Sequence, residues 1–279
     1  MRTILVIANE TLTAGPLLER ARSEAAAGTV RVVLCVPRRT PTHGNFTYSD
    51  NVYEAAQVRV DLARGVLREI GIDCIGEVGD PDPYSATLDA VAEYSPDLIL
   101  ISTLPEGESG WLASGVVERV RNATEITVEH IVTEQSAGSP FDITLVVANR
   151  TTSSDALIAE LHRLASDEPA GRERLFIFVV PTEGGDDLAV KRARARLTQV
   201  VDRAKAQEML AAGLLGDPDP YTATMNALAF FDVDDIVVST YPETRSGWLR
   251  ADLIERIRKS SGLPVDHIVA EVAASRSGA

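Results

Sequence analysis

The sequence predicts an α/β fold in which two tandem domains each contain a parallel sheet with helices on both faces. Residues 79–132 and 216–269 align at a constant offset of 137, with 27 identities in 54 positions. A weaker repeat, residues 5–9 against 145–149, opens each half at an offset of 140. Short β-branched runs alternate with longer amphipathic segments, which is typical of strands joined by crossover helices. Because the period is that of a domain rather than a solenoid repeat, we expect domains at 1–138 and 139–279.

The elements can be assigned in order along the chain. In the first half we predict strands near 3–8, 30–36, 72–78, 97–102 and 127–132, and helices near 14–27, 50–70, 83–94 and 110–122. The second half repeats this order, with strands near 142–148, 174–180, 207–215, 234–239 and 264–269 and helices between them. Its third strand, around MLAAGLLG, has an unfavourable composition because Ala and Gly disfavour sheet. Residues 133–140 form the linker.

The repeated sequence Gly-Asp-Pro-Asp-Pro marks the start of the third helix in each half. Asp82 is placed as the N-cap with Pro83 in the first helical position, and Asp219 and Pro220 repeat the arrangement. These carboxylates could instead bind a metal, but the helix cap is the simpler explanation.

Composition excludes several classes of protein. The net charge of −14 argues against sequence-independent nucleic-acid binding, which needs a basic surface. No apolar run is long enough to span a bilayer. The first residues resemble a strand rather than a signal peptide, so a cytoplasmic protein is expected. Cys35 and Cys74 have no counterparts in the other half and are expected to be buried free thiols.

Polar residues follow the first and fourth predicted strands of each half. In an open parallel sheet, ligands bind at the carboxyl ends of strands where the strand order reverses. If these two strands are neighbours, the asparagine faces the serine and threonine across one crevice and could read a base edge or another amide-like group. The alternative is that these residues only cap the next turn or helix. They are Asn9, Ser102 and Thr103 in the first half and Asn149, Arg150, Ser239 and Thr240 in the second.

After the fourth strand, each half has a short loop and then Ser-Gly-Trp-Leu, where the fourth helix is expected to begin. A helix N-terminus there could hold an anion. Glu106 and Glu108 would repel phosphate in the first half, whereas the second half has Thr244, Arg245 and Arg250. If only one half binds a phosphorylated ligand, we therefore expect it to be the second. The residues placed at these two helix starts are Ser109, Gly110, Ser246 and Gly247. The paired tryptophans, Trp111 and Trp248, are expected to pack against their own sheets; the alternatives are that they stack on a base or lie at an interface.

These motifs together resemble the universal stress protein family. The resemblance rests on the polar end of the first strand, the Gly-x-Pro step before helix 3, the small-residue loop after strand 4, and Glu118-Arg119-Val120 with its repeat Glu255-Arg256-Ile257. It covers nearly the whole chain as two tandem, Rossmann-like domains. It implies a five-stranded parallel sheet in the order 3-2-1-4-5. It also implies pairing of domains through strand 5, between the two halves or in a homodimer.

The resemblance also implies adenine-nucleotide binding, with ATP or AMP as the ligand, but the sequence departs from the motif of the ATP-binding members. Their G-x2-G-x9-G-[ST] pattern falls here on Ser102, Pro105 and Ser114-Gly115, and in the second half on Ser239, Pro242 and Ala251-Asp252. Proline removes an N–H donor, and side chains obstruct close approach of the backbone to phosphates. The acidic residue that reads adenine is replaced by Asn9 and Asn149. If either half binds nucleotide, we expect the second.

No catalytic motif accompanies this pattern. His130 and His267, at equivalent places in strand 5, are interpreted as structural histidines or as parts of a pH-sensitive interface. The loop around His43 could form a lid or be an ordinary surface loop. We expect a non-enzymatic stress-type protein that binds a small ligand and acts through conformation or partner binding. The alternatives are a purely structural or interaction module and a weak nucleotide hydrolase.

Overall fold

The structure is a computed structural model that describes residues 1–40, 49–106, 109–133, 139–169, 171–242 and 252–270. Its residues divide into two compact units, of which the first ends at Phe141 and the second begins at Asp142. Each unit has its own sheet and its own hydrophobic core. No helix in these described ranges is long and apolar enough to cross a membrane.

The first unit is a five-stranded parallel sheet in the order β3-β2-β1-β4-β5. Its strands are β1 (Arg2–Ile7), β2 (Val30–Pro37), β3 (Asp73–Gly79), β4 (Leu98–Thr103) and β5 (Thr127–Val132). Its helices are α1 (Gly15–Ala27), α2 (Ser49–Glu69), α3 (Pro83–Tyr94), α4 (Gly110–Ala113) and α5 (Val116–Ala123). Every residue of β4 is buried because helices cover both faces of the sheet, which explains its continuous apolar run.

The second unit repeats this arrangement with the strand order β10-β9-β6-β7-β8. Its strands are β6 (Phe141–Val147), β7 (Glu173–Pro181), β8 (Leu210–Gly216), β9 (Asp235–Thr240) and β10 (Val265–Val269). Its helices are α6 (Asp155–Ser166), α7 (Asp187–Lys205), α8 (Pro220–Phe230) and α9 (Leu253–Ser261). The predicted fold class, two parallel sheets each in the order 3-2-1-4-5, is therefore confirmed.

The strand with the unfavourable composition, β8, is present and pairs in parallel with β7. Its glycine explains the composition. A Cβ atom on Gly213 would lie 2.5 Å from the carbonyl oxygen of Phe178 and 2.6 Å from a methyl group of Leu197 in α7. The helix and the neighbouring strand approach so closely that only glycine fits.

The Gly-Asp-Pro-Asp-Pro repeat has a structural explanation in both units. Asp82 accepts a hydrogen bond from the backbone N–H of Ser85 at 3.1 Å, and Asp219 accepts one from Thr222 at 3.0 Å. The predicted N-caps of α3 and α8 are therefore confirmed. A Cβ on Gly79 would lie 2.8 Å from that of Ala86, so the strand end also needs glycine.

Two local expectations were wrong, and one element was not predicted. The helix expected over 110–122 is broken into α4 and α5 at Gly115, whose φ of +64° lies in the left-handed region. A 3₁₀ helix, Arg150–Ser153, follows β6 and was not predicted. Cys35 is buried as expected, but Cys74 is only partly buried because β3 lies at the edge of the sheet.

Candidate functional site

The carboxyl end of the first sheet brings the predicted site residues of the first unit to one edge. Ile7 of β1 pairs with Ile101 of β4, so Asn9, two residues after β1, and Ser102, near the end of β4, lie at the ends of neighbouring strands. The amide nitrogen of Asn9 donates to the carbonyl of Pro37, at the end of β2, at 2.5 Å. Asn9 is thus held toward β2, and within the described residues it forms no hydrogen bond with Ser102 or Thr103 across the crevice.

Several buried polar atoms at this edge have no hydrogen-bond partner among the described residues. These atoms belong to four buried residues, with between 1% and 6% of their surface exposed, that lie at or just after the carboxyl ends of β1, β4 and β5. An unpaired buried polar atom costs about 1–3 kcal/mol, so most such atoms in native proteins bond to protein or ordered water. A small polar molecule that reached them would remove this cost. The atoms are Oδ1 of Asn9 and the hydroxyl oxygens of Thr11, Ser102 and Thr133.

The hydroxyl of Thr103 instead contacts the edge strand, β5. Its hydroxyl lies 2.9 Å from Nε2 of His130 in β5 and donates its proton to the carbonyl of Leu104, also at 2.9 Å. In the second unit Thr240 lies 2.8 Å from Nε2 of His267. Burial is the main cause that lowers the pKa of both histidines. Both are therefore neutral, hydrogen-bonded side chains near pH 7, as the structural interpretation expected.

The equivalent edge of the second unit is filled by its own side chains. Arg196 of α7 donates from Nη1 to Oδ1 of Asn149 at 2.7 Å, and Thr151 donates to the carbonyl of Ser239 at 3.0 Å. Among the residues that the structure describes, the hydroxyl of Ser239 is the only buried side-chain atom without a partner at this edge. Arg150 does not point into an empty crevice, because its Nε pairs with Glu183 on the loop after β7.

Arg196 is a site residue that the sequence analysis missed. Arg59 of α2 stands at the same offset of 137, and the residues that follow them, Val60 and Leu197, both lie within 2.6 Å of a Cβ built on the equivalent glycines of β3 and β8. The two arginines are therefore structurally equivalent. The constant offset of 137 could have identified Arg196 as the counterpart of Arg59. The signal was weak because α2 and α7 share few other residues. Burial lowers the pKa of Arg59 to about 10, and Glu10 opposes that shift.

Near Arg59 and Arg196, each unit has an ion pair in which the positions of the acidic and the basic residue are exchanged. Glu10, after β1, pairs with Arg39, after β2. Arg150, after β6, pairs with Glu183, after β7. Both units therefore tie the end of their first strand to the loop after their second, with acid and base exchanged.

The predicted anion-binding loops are only partly described. Ser109 caps α4 by accepting from the backbone N–H of Leu112 at 3.3 Å, and Gly110 opens that helix of only four residues. Trp111 packs against the core of the first unit, as expected. The other residues of this prediction lie outside the described residues: Glu108, Thr244, Arg245, Ser246, Gly247, Trp248 and Arg250. Of the loop that could form a lid or be an ordinary surface loop, residues 41–48, which include His43, lie outside them too.

No group of three or more His, Cys, Asp or Glu side chains that could hold a metal ion occurs within the described part of the chain. The carboxylates of the Gly-Asp-Pro-Asp-Pro repeats are instead occupied by backbone N–H groups. Asp80 accepts from the N–H of Asp82 at 2.9 Å, and Asp217 accepts from that of Asp219 at 2.8 Å. The arrangement at the sheet edges therefore offers hydrogen bonds and guanidinium groups rather than metal ligands.

No family model and no curated protein matches the chain. Among solved structures, it is similar to a universal stress protein from Archaeoglobus fulgidus, with 16% identity, 98% of this chain and 97% of the other covered, and a TM-score of 0.37. A putative universal stress protein from Pseudomonas aeruginosa is 14% identical over 97% and 94%, with a TM-score of 0.32. The structural neighbours thus include the family that the sequence resembles. At these values the likeness concerns the fold alone, and the strand order of the two sheets carries the fold assignment.

Proposed function

We propose that the chain is a non-enzymatic, cytoplasmic stress-type protein that binds a small polar ligand at the carboxyl edge of the first sheet. The observation that carries this proposal is the set of four buried, unpaired polar atoms at that edge. They combine an amide oxygen of Asn9, which only accepts, with hydroxyl groups that both donate and accept. This set suits a neutral ligand with amide-like or hydroxyl groups, such as the base or sugar of a nucleoside.

The first unit is favoured over the second because two of the equivalent groups of the second unit are already bonded. Oδ1 of Asn149 accepts from Arg196, whereas Oδ1 of Asn9 has no partner in the described residues. The hydroxyl of Thr151 donates to the carbonyl of Ser239, whereas the hydroxyl of Thr11 has no partner in the described residues. Adenine-nucleotide binding in the second unit, expected from Arg245 and Arg250, is kept as the alternative that the same experiment tests.

The polar groups of the crevice are binding groups rather than proton-transfer groups. Asn, Ser and Thr side chains neither gain nor lose a proton near pH 7. Thr103, at the same edge, is held by His130 and the carbonyl of Leu104. We therefore assign the crevice to recognition and expect the protein to act through conformation or partner binding.

Mass spectrometry of small molecules released from the freshly purified, denatured protein tests this function. A near-stoichiometric compound supports it, and binding of that compound is then measured for Ser102→Val and for the matched Ser239→Val in the other unit. Loss of affinity of about tenfold or more in Ser102→Val alone places the ligand in the first unit, on the scale of one buried hydrogen bond. Loss in Ser239→Val alone would place it in the second unit.

A protein that releases nothing and shows no thermal shift with ATP, AMP or adenosine would contradict the proposal. It would favour the interaction module, with ordered water at the buried polar atoms. Pairing through the edge strands then becomes the main candidate function. Val132 of β5 and Val269 of β10 are 50% and 48% exposed, which is consistent with a surface that another strand covers. Metal-dependent turnover of ATP would instead support the hydrolase alternative.

A further inference from the structure

We propose that the second unit contains an oxyanion-binding site, formed by Arg150 and Arg196, that the chain's own Glu183 occupies. Nε of Arg150 pairs with Oε1 of Glu183, and Nη2 of Arg196 lies 3.3 Å from Oε2. The two oxygens of one carboxylate are thus divided between two guanidinium groups. This site is separate from the crevice of the first unit and does not depend on the function proposed for it.

The charges of this cluster do not balance. Two guanidinium groups share one carboxylate, so one positive charge is uncompensated within the cluster of Arg150, Arg196 and Glu183. The hydrogen bond from Arg150, followed by the charge of Arg196, holds the pKa of Glu183 below its usual range. Glu183 is therefore ionised at neutral pH and stands where a carboxylate or phosphate of a ligand would stand.

Both arginines also have hydrogen-bond partners other than Glu183, through the side chain of Arg196 and the backbone of Arg150. Oδ1 of Asn149 accepts from Nη1 of Arg196 at 2.7 Å, which orients that guanidinium toward the end of β6. The hydroxyl of Tyr241, after β9, donates to the backbone carbonyl of Arg150 at 3.1 Å. These contacts hold the guanidinium group of Arg196 and the backbone of Arg150, and neither involves Glu183.

Glu183 itself lies on a loosely packed loop between β7 and α7. Gly184 and Gly185 follow it, and a Cβ built on Gly185 would meet no atom within 4 Å. Movement of this loop therefore breaks few contacts. The guanidinium of Arg196 is held by Asn149 and the backbone of Arg150 by Tyr241, while the occupying anion is on the loop, so an incoming oxyanion can replace Glu183.

The first unit provides the contrast. There the carboxylate, Glu10, follows directly on β1, and the cation, Arg39, is on the loop. An anion that approached this edge would meet a fixed negative charge, and displacement of the loop would remove a cation rather than an anion. Arg59 lies near Glu10 as Arg196 lies near Glu183, but among the described residues only the second unit has its carboxylate on the loop.

The ligand class follows from the receiving groups. Guanidinium groups form paired N–H···O bonds to carboxylates and phosphates, so the site fits a phosphate group or a carboxylate. The half-exposed position, with 67% of the Arg150 side chain accessible, suits the terminal oxyanion of a molecule that extends into solvent.

The test removes the internal anion and measures phosphate binding. In Glu183→Gln, inorganic phosphate should bind at least about tenfold more tightly than in the parent, by isothermal titration calorimetry, on the scale of a charge-assisted hydrogen bond. The matched control is Glu255→Gln, which makes the same charge change beside a single exposed partner, Arg258, and should show no gain. Arg150→Gln combined with Glu183→Gln should lose the gain.

Equal phosphate affinity in Glu183→Gln and Glu255→Gln would overturn the proposal, and so would a gain that persists without Arg150. A second measurement uses the unaltered protein. At the phosphate concentration that saturates Glu183→Gln, the side-chain Nε–Hε NMR signals of Arg150 and Arg196 should shift in the parent, and signals that stay in place would also overturn it. Citrate or acetate in place of phosphate then separates a phosphate-specific site from a general oxyanion site.

Discussion

Thr103 and His130 lie 2.9 Å apart, from hydroxyl oxygen to Nε2, and this contact fixes the protonation of the histidine. The threonine hydroxyl has a single proton and donates it to the carbonyl of Leu104. The bond to the ring must therefore come from Nε2–H. The second unit repeats the arrangement with Thr240 and His267, at 2.8 Å. Each edge strand is thus tied to the strand beside it by a histidine that is neutral and hydrogen-bonded.

This relationship predicts how stability depends on pH. Burial lowers the pKa of both His130 and His267 below the usual 6.5. For His130 the charge of Arg121 acts in the same direction and Glu118 opposes it. Between the lowered value and about 6.5, the unfolded chain binds more protons than the folded one, so the free energy of unfolding rises with pH. This contribution is present above about pH 6.5 and is lost as the pH falls below it.

Urea unfolding at pH 7.5 and pH 5.5 measures this contribution. The parent should be less stable at the lower pH, and the double variant His130→Gln, His267→Gln should show a smaller difference, because its amide groups do not titrate. Gln retains a donor for the threonine oxygen, so the variant keeps the bond. Equal pH dependence in both proteins would contradict the prediction. NMR of the ring nitrogens provides an independent check, since Nε2 should carry the proton.

A second prediction concerns the glycine that ends β3. A Cβ on Gly79 would lie 2.7 Å from the sulfur of Cys35 and 2.8 Å from the Cβ of Ala86, and neither neighbour is the end of a flexible side chain. Gly79→Ala should lower the free energy of unfolding by about 1–3 kcal/mol through overpacking. Gly28→Ala is the control, since its Cβ would meet nothing within 4 Å and its backbone is extended. Equal stability of the two variants in urea unfolding would contradict the steric explanation.

The internal repeat made most of the fold predictable. Strand positions, the α3 and α8 caps and the order of elements follow from patterns that occur twice, and β8 was identified despite its Ala and Gly content because it falls in register with β3. The break at Gly115 was missed because its counterpart in the second half is Asp252, so the repeat gave no glycine signal there. Asp252 also has a positive φ, of 50°, so the turn is shared although the residue is not.

The candidate sites were less predictable, for a physical reason. Comparison of the halves by identity scores Glu10 against Arg150 as a mismatch, and it scores Arg39 against Glu183 in the same way. The two differences compensate each other, because an ion pair is kept when the acidic and the basic residue exchange places. Only coordinates show that the two positions face each other. The strand ends could be located from sequence, but which of their polar atoms are already bonded could not.

A third prediction concerns the two thiols. Burial raises the pKa of Cys35 and of Cys74 to about 12, so the reactive thiolate is scarce at pH 7 in both. In the folded protein, both cysteines should react with a disulfide reagent such as dithionitrobenzoate much more slowly than they do in the unfolded chain. Cys74→Ser should leave one slow thiol and identify Cys35, which is fully buried in the core. Fast reaction of either cysteine in the folded protein would contradict the prediction.

The last prediction concerns Arg174 at the start of β7. Its side chain is only 13% exposed, pairs with Glu168 and Asp235, and donates to the hydroxyl of the buried Thr144 at 2.7 Å. Arg174→Met keeps most of the aliphatic volume but leaves Glu168, 6% exposed, without this cation. Because the loss of one partner leaves a buried charge uncompensated, we expect a cost of about 3–5 kcal/mol near pH 7.

The control for this variant is Arg258→Met, whose partner Glu255 is 74% exposed, and which should cost no more than about 1 kcal/mol. Burial already raises the pKa of Glu168, and removal of Arg174 should raise it further. Protonation then neutralises the stranded carboxyl group, so the deficit of Arg174→Met should shrink as the pH falls from 7 toward 5. Urea unfolding of both variants at the two pH values measures this. The prediction would be contradicted if the loss of stability in Arg174→Met equalled that of the control or grew as the pH fell. The carboxylates would then be stabilised by water rather than by Arg174.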